Sequence, residues 1–155
     1  MTPMIQPDTA LWGLPDPDTH GDFYADTTIK RFFAWLVDTI LILGLSLLAI
    51  PFTAFTGLFF FGFLFLAVGL VYRIWAMSSR SATPGMRLMA IEFRNSRGER
   101  FDTATATLHV LMFYFMTTFF VLQIISIILM LTSSRGQGLH DMLLGTAAIN
   151  RSRKP

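Results

Sequence analysis

The sequence predicts an all-α integral membrane helical bundle, and two observations carry that prediction. Of the 155 residues, 53% are hydrophobic and only 14% are charged, whereas an average soluble domain has about 25% charged residues. The apolar residues are also gathered into three long regions, at residues 30–50, 58–77 and 103–132. A helix that rises ~1.5 Å per residue needs about 20 residues to cross a ~30 Å hydrocarbon layer. The first two regions fit that length, and the third exceeds it.

The N-terminal segment, residues 1–28, has a different composition. It contains four prolines and five aspartates but no lysine or arginine, and its apolar residues show no periodicity. Such a composition is typical of disordered chain. We therefore predict an acidic, proline-rich, disordered cytoplasmic tail, followed by a transmembrane domain at residues 29–152. The segment lacks the basic start and apolar core of a signal peptide, so the first apolar region is predicted to direct insertion.

The third apolar region leaves two topologies open. One long tilted helix would place the C-terminus outside, whereas two short helices folding back near Thr117 and Thr118 would return it to the inside. The loop at residues 78–102 has five arginines and the C-terminal tail is also basic. The positive-inside rule places both in the cytoplasm with the N-terminus, which requires an even number of crossings. We favour four crossings with a broken last hairpin.

The basic loop and the tail also contain short segments with strand character. Residues 88–93 are predicted to form a strand, and residues 146–150 are a second candidate. The two could pair in a small cytoplasmic sheet. Residues 99–102, which follow a predicted turn at residues 95–98, are an alternative return strand.

Two ionisable residues in the first apolar region, Arg31 and Asp38, are the strongest candidates for a polar site. They are seven residues apart, so they share one helical face about 10 Å apart along the axis. A carboxylate at the depth of Asp38 costs about 2.5–3.5 kcal/mol unless it has a partner. Asp38 is therefore either a proton- or cation-carrying group or one half of a permanent ion pair. The candidate partners from other segments are Arg73, Arg87 and Arg135.

Other polar residues have two interpretations each. Arg31 either extends to lipid phosphates or joins a network with Asp38 and Asp141. Asp141 either caps a helix or pairs with an arginine at the cytoplasmic mouth. His109 and Gln123, in the third apolar region, either line a polar path or make hydrogen bonds between helices.

The sequence argues against several other functions. His140 and Asp141 are adjacent but have no ligand spacing with His20 or His109, so we expect no metal site. There are no cysteines, no nucleophile with its base, and no phosphate-binding glycine loop, so we expect neither enzyme activity nor a cofactor. Basic residues flank the apolar regions, which indicates contact with lipid headgroups rather than nucleic acid.

Three motifs together resemble the RDD family of bacterial inner-membrane proteins, over residues 24–152. They are Arg31-Phe-Phe-Ala-Trp-Leu-Val-Asp38, Ala82-Thr-Pro-Gly-Met-Arg-Leu88 and Arg135-Gly-Gln-Gly-Leu-His-Asp-Met-Leu-Leu-Gly-Thr146. The family is named for one arginine and two aspartates, which the resemblance assigns to Arg31, Asp38 and Asp141. Within the second motif, Thr-Pro-Gly is predicted to form a turn. Met86 departs from the basic residue that the family usually has there.

The resemblance implies a multi-pass protein of the bacterial inner membrane, and two functions follow as hypotheses. Transport of small ligands has been suggested for the family, and sodium (potassium)/proton antiport for some members. The first hypothesis is a small-ion transporter for Na⁺, K⁺ or H⁺, in which Asp38 is the exchanging carboxylate. A homo-oligomer is expected, since one short chain can hardly enclose a larger path. The alternative is a non-transporting membrane scaffold or interaction module that binds a partner through the acidic tail and the basic loop.

Overall fold

The computed structural model describes residues 13–151, which contain six α-helices and two short strands. The helices are α1 (Thr27–Ala49), α2 (Phe61–Arg80), α3 (Pro84–Leu88), α4 (Thr103–Thr118), α5 (Phe120–Thr132) and α6 (Leu139–Leu144), and the strands are β1 (Ile91–Arg94) and β2 (Ala147–Asn150). Within this part of the chain, α1 and α2 are each long and apolar enough to cross a membrane. The bent helices α4 and α5 would form a third span if the two together are counted as a single span.

The outer faces of these helices are apolar. Leu48 on α1 is 69% exposed and Phe63 on α2 is 74% exposed, and large exposed hydrophobic side chains continue along α5. Soluble monomers rarely expose apolar patches of more than a few hundred Å². A surface of this kind fits a lipid environment. The prediction that the chain is a helical membrane protein is therefore confirmed.

The chain breaks between α4 and α5 at Phe119, where the two helices are bent by 116°. The hydroxyl groups of Thr117 and Thr118 donate to the carbonyls of Phe113 and Tyr114, four residues earlier, at 2.8 and 2.9 Å. Bonds of this kind compete with the helical backbone and favour bending. The break therefore lies where the sequence predicts it.

The two ends of the α4–α5 pair lie at the same end of the bundle. β1 precedes α4 and β2 follows α6, and the two strands pair antiparallel from Ile91 opposite Asn150 to Arg94 opposite Ala147. The start of α1 is also there, because Lys30 Nζ donates to Asn150 Oδ1 at 2.6 Å. We call this region, which contains the start of α1, the end of α2, the sheet and α6, the sheet end.

The predicted pairing of the two strand segments is confirmed, but other details differ. The first strand begins at Ile91 rather than Leu88, because Leu88 is the last residue of α3. A return strand at residues 99–102 is wrong, since the described chain has no strand there. Asp102 instead caps α4, where its side chain accepts from the Thr105 N–H at 2.8 Å, and so the preceding residues lead into a helix.

Part of the segment predicted to be disordered packs on the sheet. Leu14 and Tyr24 are buried in a cluster with Ala147 and Ile149 of β2. The Tyr24 hydroxyl donates to the Pro15 carbonyl at 2.7 Å. Residues 13–26 are thus folded, contrary to the prediction, because their few apolar side chains cover one face of the sheet. Residues 1–12 of the predicted tail lie outside the described residues.

Candidate functional site

Asp38 lies on α1 and is buried, and its carboxylate accepts three hydrogen bonds from neutral donors. The Thr83 hydroxyl donates to Oδ2 at 2.5 Å. The Tyr72 hydroxyl and the Gly85 N–H both donate to Oδ1, at 2.8 and 2.9 Å. These donors come from α2, from the residue before α3 and from α3 itself. Asp38 therefore connects three segments of the bundle.

The Thr-Pro-Gly motif forms the start of α3 instead of the predicted simple turn. Thr83 caps this helix, because its Oγ1 accepts from the Met86 N–H at 3.2 Å, and proline is well suited to the first helical position. Gly85 permits a close approach to α1, since a Cβ there would lie 2.3 Å from the Ala34 carbonyl oxygen. The motif thus brings a hydroxyl and a backbone N–H onto Asp38.

Among the three arginines considered as partners of Asp38, only Arg73 is close. Its Nη1 lies 4.0 Å from Asp38 Oδ2, and its guanidinium group stacks 5.3 Å from the centre of the Phe113 ring. Arg87 is exposed on α3 and Arg135 lies in the loop before α6. Neither of them forms a salt bridge with Asp38 in the described structure.

Asp141 on α6 is completely buried and is the centre of a second polar cluster. Arg31 Nη1 lies 2.6 Å from its Oδ2, which also accepts from the Gly138 N–H at 3.1 Å. The other oxygen, Oδ1, accepts from the Thr146 hydroxyl at 3.1 Å and lies 2.8 Å from His109 Nε2. Both sequence-based interpretations of Asp141 therefore hold, because it caps α6 and also pairs with an arginine.

This environment determines the charge of Asp141. Burial disfavours the charged form, but the Arg31 guanidinium and the nearby His140 and His109 outweigh it and hold the pKa of Asp141 well below its usual range. Arg31 is only 11% exposed and also donates to the Gly136 carbonyl at 3.1 Å. Arg31 is thus committed to this cluster and does not extend to lipid phosphates.

The two histidines lie beside each other next to Asp141. One ligand atom from each of His109, His140 and Asp141 lies within 4.8 Å of the others. The expectation that these residues lack ligand spacing is therefore wrong, because the fold brings α4 and α6 together across 30 residues of sequence. Arg31 already neutralises the Asp141 carboxylate, and its positive charge opposes the binding of a divalent cation there.

His140 is buried without hydrogen-bond partners in the described part of the chain. Neither its Nδ1 nor its Nε2 has one, although Nε2 lies 3.6 Å from Asp141 Oδ1. The ring packs edge-on against His109 and Phe113. Burial favours the neutral ring and lowers the pKa of His140 to about 4.

A cavity of about 80 Å³ lies between the Asp38 cluster and the Asp141 cluster. It has room for a few water molecules. Its lining residues are Arg31, Ala34, Trp35, Asp38, Arg73, Met77, Thr83, Met86, Phe93, His109, Val110, Phe113 and His140. Asp38 lines this cavity and Asp141 does not. Arg73 Nε and both ring nitrogens of His140 are buried without a partner in the described residues, so water in the cavity could satisfy polar groups of its lining residues.

Three residues predicted from the sequence, Arg87, Arg135 and Gln123, are not at the site, whereas Tyr72 and Thr83, which were not predicted, are part of it. Gln123 is half-buried on α5, does not line the cavity, and its side chain makes no hydrogen bond within residues 13–151. Tyr72 and Thr83 were not candidates, although both donate to Asp38. The signal for Thr83 was its place in the Thr-Pro-Gly motif. For Tyr72, the only sequence feature that pointed to the site was its position next to Arg73.

The exposed apolar helices and the two buried aspartate clusters define a helical membrane protein with a polar interior at one end. The chain matches the model of the RDD family over residues 26–145, and it therefore belongs to the RDD family. The arginine and two aspartates assigned by resemblance, Arg31, Asp38 and Asp141, all lie within that range. Comparison with curated proteins and with solved structures gave no significant match.

Proposed function

We propose that the protein is a small-ion transporter that exchanges Na⁺ or K⁺ for H⁺, with Asp38 as the exchanging carboxylate. The observation that carries this proposal is that Asp38 lines an internal cavity while its nearest cation, Arg73, is 4.0 Å away. Asp141 is held at 2.6 Å by Arg31 and does not line the cavity. Of the two aspartates, Asp38 is thus the one whose charge is available to an entering cation.

The chemistry around Asp38 suits an alkali cation. Carboxylate and hydroxyl oxygens are ligands of hard cations, and Asp38 is surrounded by the hydroxyl groups of Thr83 and Tyr72. A cation binds the ionised carboxylate, and a proton on the same carboxylate displaces it. This competition for a single group couples the two ions without a second binding site.

We place this transporter in the bacterial inner membrane with four crossings and with both ends of the chain in the cytoplasm. Support comes from the α4–α5 pair, which returns to the sheet end, and from Arg80, Arg87 and Arg100, which lie at that same end. Basic segments remain on the cytoplasmic side. One copy has room for an ion but not for a larger solute, so we propose a homo-oligomer. We propose neither a catalytic activity nor a cofactor.

The test is cation-driven proton flux in proteoliposomes, measured separately with Na⁺ and K⁺. Asp38→Asn removes the charge but keeps an acceptor for Tyr72 and Gly85. Glu99→Gln makes the same chemical change on the surface, where the Glu99 side chain is 58% exposed, and serves as the matched control. We expect flux from the wild type and from Glu99→Gln, and none from an Asp38→Asn protein of equal thermal stability. Equal flux from all three would contradict a role for Asp38.

A second candidate, a non-transporting membrane scaffold, is favoured by one observation. The three hydrogen bonds to Asp38 tie α1 to α2 and to the start of α3, which is also what a purely structural residue would do. This candidate expects no flux from any variant and a large loss of thermal stability in Asp38→Asn. The same set of proteins therefore distinguishes the two functions.

A further inference from the structure

A second cavity, of about 290 Å³, lies at the sheet end and is lined by arginines from four separate segments. Arg80 is at the end of α2, Arg87 is on α3, Arg100 precedes α4 and Arg151 follows β2, with Ser79 as the remaining lining residue. We call this cavity the arginine pocket. The positive-inside rule requires basic residues near the ends of spans, but it does not require them to converge on one pocket.

The arginine pocket has a large excess of positive charge. The only acidic side chain paired with its arginines in the described chain is Glu92, which lies 3.6 Å from Arg151 Nε and 3.9 Å from Arg100 Nη2. Glu92 is also in close contact with Arg94. Arg80 and Arg87 form no salt bridge within residues 13–151. Three guanidinium groups, those of Arg94, Arg100 and Arg151, thus share one carboxylate. Arg80 and Arg87 add two further positive charges to the pocket, so the pocket is complementary to an anion such as a phosphate group.

An apolar groove lies next to this pocket along α2. The groove has a volume of about 500 Å³ and is lined by Leu45, Ala67, Val68, Val71, Tyr72 and Trp75. Trp75 is four residues before Ser79, so the two share a helical face, one turn apart. An exposed tryptophan at the end of a span is typical of the membrane interface. The groove therefore lies at acyl-chain depth and the arginine pocket at headgroup depth.

We propose that the arginine pocket and the apolar groove together bind a phospholipid with an anionic headgroup. The arginines hold the phosphate of the headgroup, and the groove takes part of an acyl chain. A basic pocket next to transmembrane helices on the cytoplasmic side is suited to such a lipid. A free phosphate ion would use the arginines alone, and the position of the groove one helical turn from the pocket on α2 favours the lipid.

The test is native mass spectrometry of the full-length protein in detergent, titrated with phosphatidylglycerol, with zwitterionic phosphatidylcholine, or with inorganic phosphate. The variants are Arg80→Gln and Arg87→Gln. The matched control is Arg97→Gln, which removes a 77% exposed arginine outside the pocket. A basic residue at an anionic surface contributes about 1 kcal/mol, so each pocket variant should bind phosphatidylglycerol about fivefold more weakly. Arg97→Gln should bind it like the wild type.

The groove is tested separately with Trp75→Ala, at a side chain that is 68% exposed. We expect this variant to lose affinity for phosphatidylglycerol. Three outcomes would overturn the proposal. Equal binding of phosphatidylcholine, or an equal loss in Arg97→Gln, would mean that the pocket has no special role. Full displacement of the lipid by millimolar phosphate, with no effect of Trp75→Ala, would assign the pocket to a free anion.

Discussion

Asp38 and Asp141 are both buried, yet different groups compensate their charges. Asp141 has a guanidinium group at 2.6 Å and accepts bonds to both of its oxygens. A buried pair of this kind is strongly destabilised when one partner is removed, because the other charge is left without compensation. Asp38 has three neutral donors and a more distant arginine. Because Asp141 is paired with a close guanidinium group and Asp38 is not, we propose Asp38 as the exchanging group.

His140 is predicted to make the stability of the protein depend on pH. The unfolded chain binds a proton at His140 near pH 6.5, whereas the folded protein resists this proton until about pH 4. Protonation therefore favours the unfolded chain, and stability is lost as the pH falls from about 6.5 to about 4. The shift corresponds to about 3 kcal/mol. Urea unfolding in detergent across this pH range measures it.

The control is His140→Leu. Since neither ring nitrogen has a partner in the described chain, we expect this variant to be close to the wild type in stability at pH 7.5 and to lose less stability toward pH 4. The groups that face His140 are Asp141 on its own helix, His109 on α4 and Arg31 on α1. An unchanged pH profile in His140→Leu would assign the acid sensitivity to one of these groups.

At the scale of the elements, the packing of α3 on α1 depends on Gly85. Gly85→Ala would place a methyl group 2.3 Å from the Ala34 carbonyl oxygen and 2.8 Å from Asp38 Oδ1. Backbone cannot easily move aside, so α3 must shift and its hydrogen bond to Asp38 must weaken. Overpacking of this kind costs about 1–3 kcal/mol. We expect a clear fall in thermal stability in detergent.

Gly44→Ala is the matched control for this prediction. Gly44 lies within α1, and no atom lies within 4 Å of a Cβ built there. Alanine is favoured over glycine inside a helix by about 1 kcal/mol, so this variant should be as stable as the wild type or slightly more stable. Equal stability of Gly44→Ala and Gly85→Ala would disprove the close approach of α3 to α1.

At the scale of the whole molecule, the sheet ties residues 91–94 and 147–150 to the same end of the bundle. The chain has no native cysteine, so single cysteines report topology directly. Phe52, which is 91% exposed, lies in the turn between α1 and α2, and Ser96 and Arg151 lie at the sheet end. The single-cysteine variants are Phe52→Cys, Ser96→Cys and Arg151→Cys. With an impermeant maleimide on intact spheroplasts, we expect labelling of Phe52→Cys alone. Labelling of Arg151→Cys, but not Ser96→Cys, would require an odd number of crossings.

Some features of this protein follow from the sequence by itself. The lengths of the apolar regions predict α1 and α2, since hydrocarbon thickness fixes the length of a span. The break near Thr117 is visible in the sequence. The two segments that pair are both recognisable as strand candidates, although the sequence left a second return strand open. Arg31 and Asp38 could be selected as site residues because an ionisable group in an apolar region is costly unless it has a partner or a function. Asp141 was indicated by the resemblance to the RDD family.

The tertiary structure determines which of these charged residues form ion pairs. Arg31 and Asp38 share a helical face and lie close in sequence, yet Arg31 pairs with Asp141, 110 residues away. Tyr72 and Thr83 reach Asp38, and His109 meets His140, only because α2, α3, α4 and α6 converge at the sheet end. Helical periodicity fixes the direction of a side chain on its own helix. Which residue that side chain contacts depends on how the other helices pack against its own helix. The local sequence does not specify that packing.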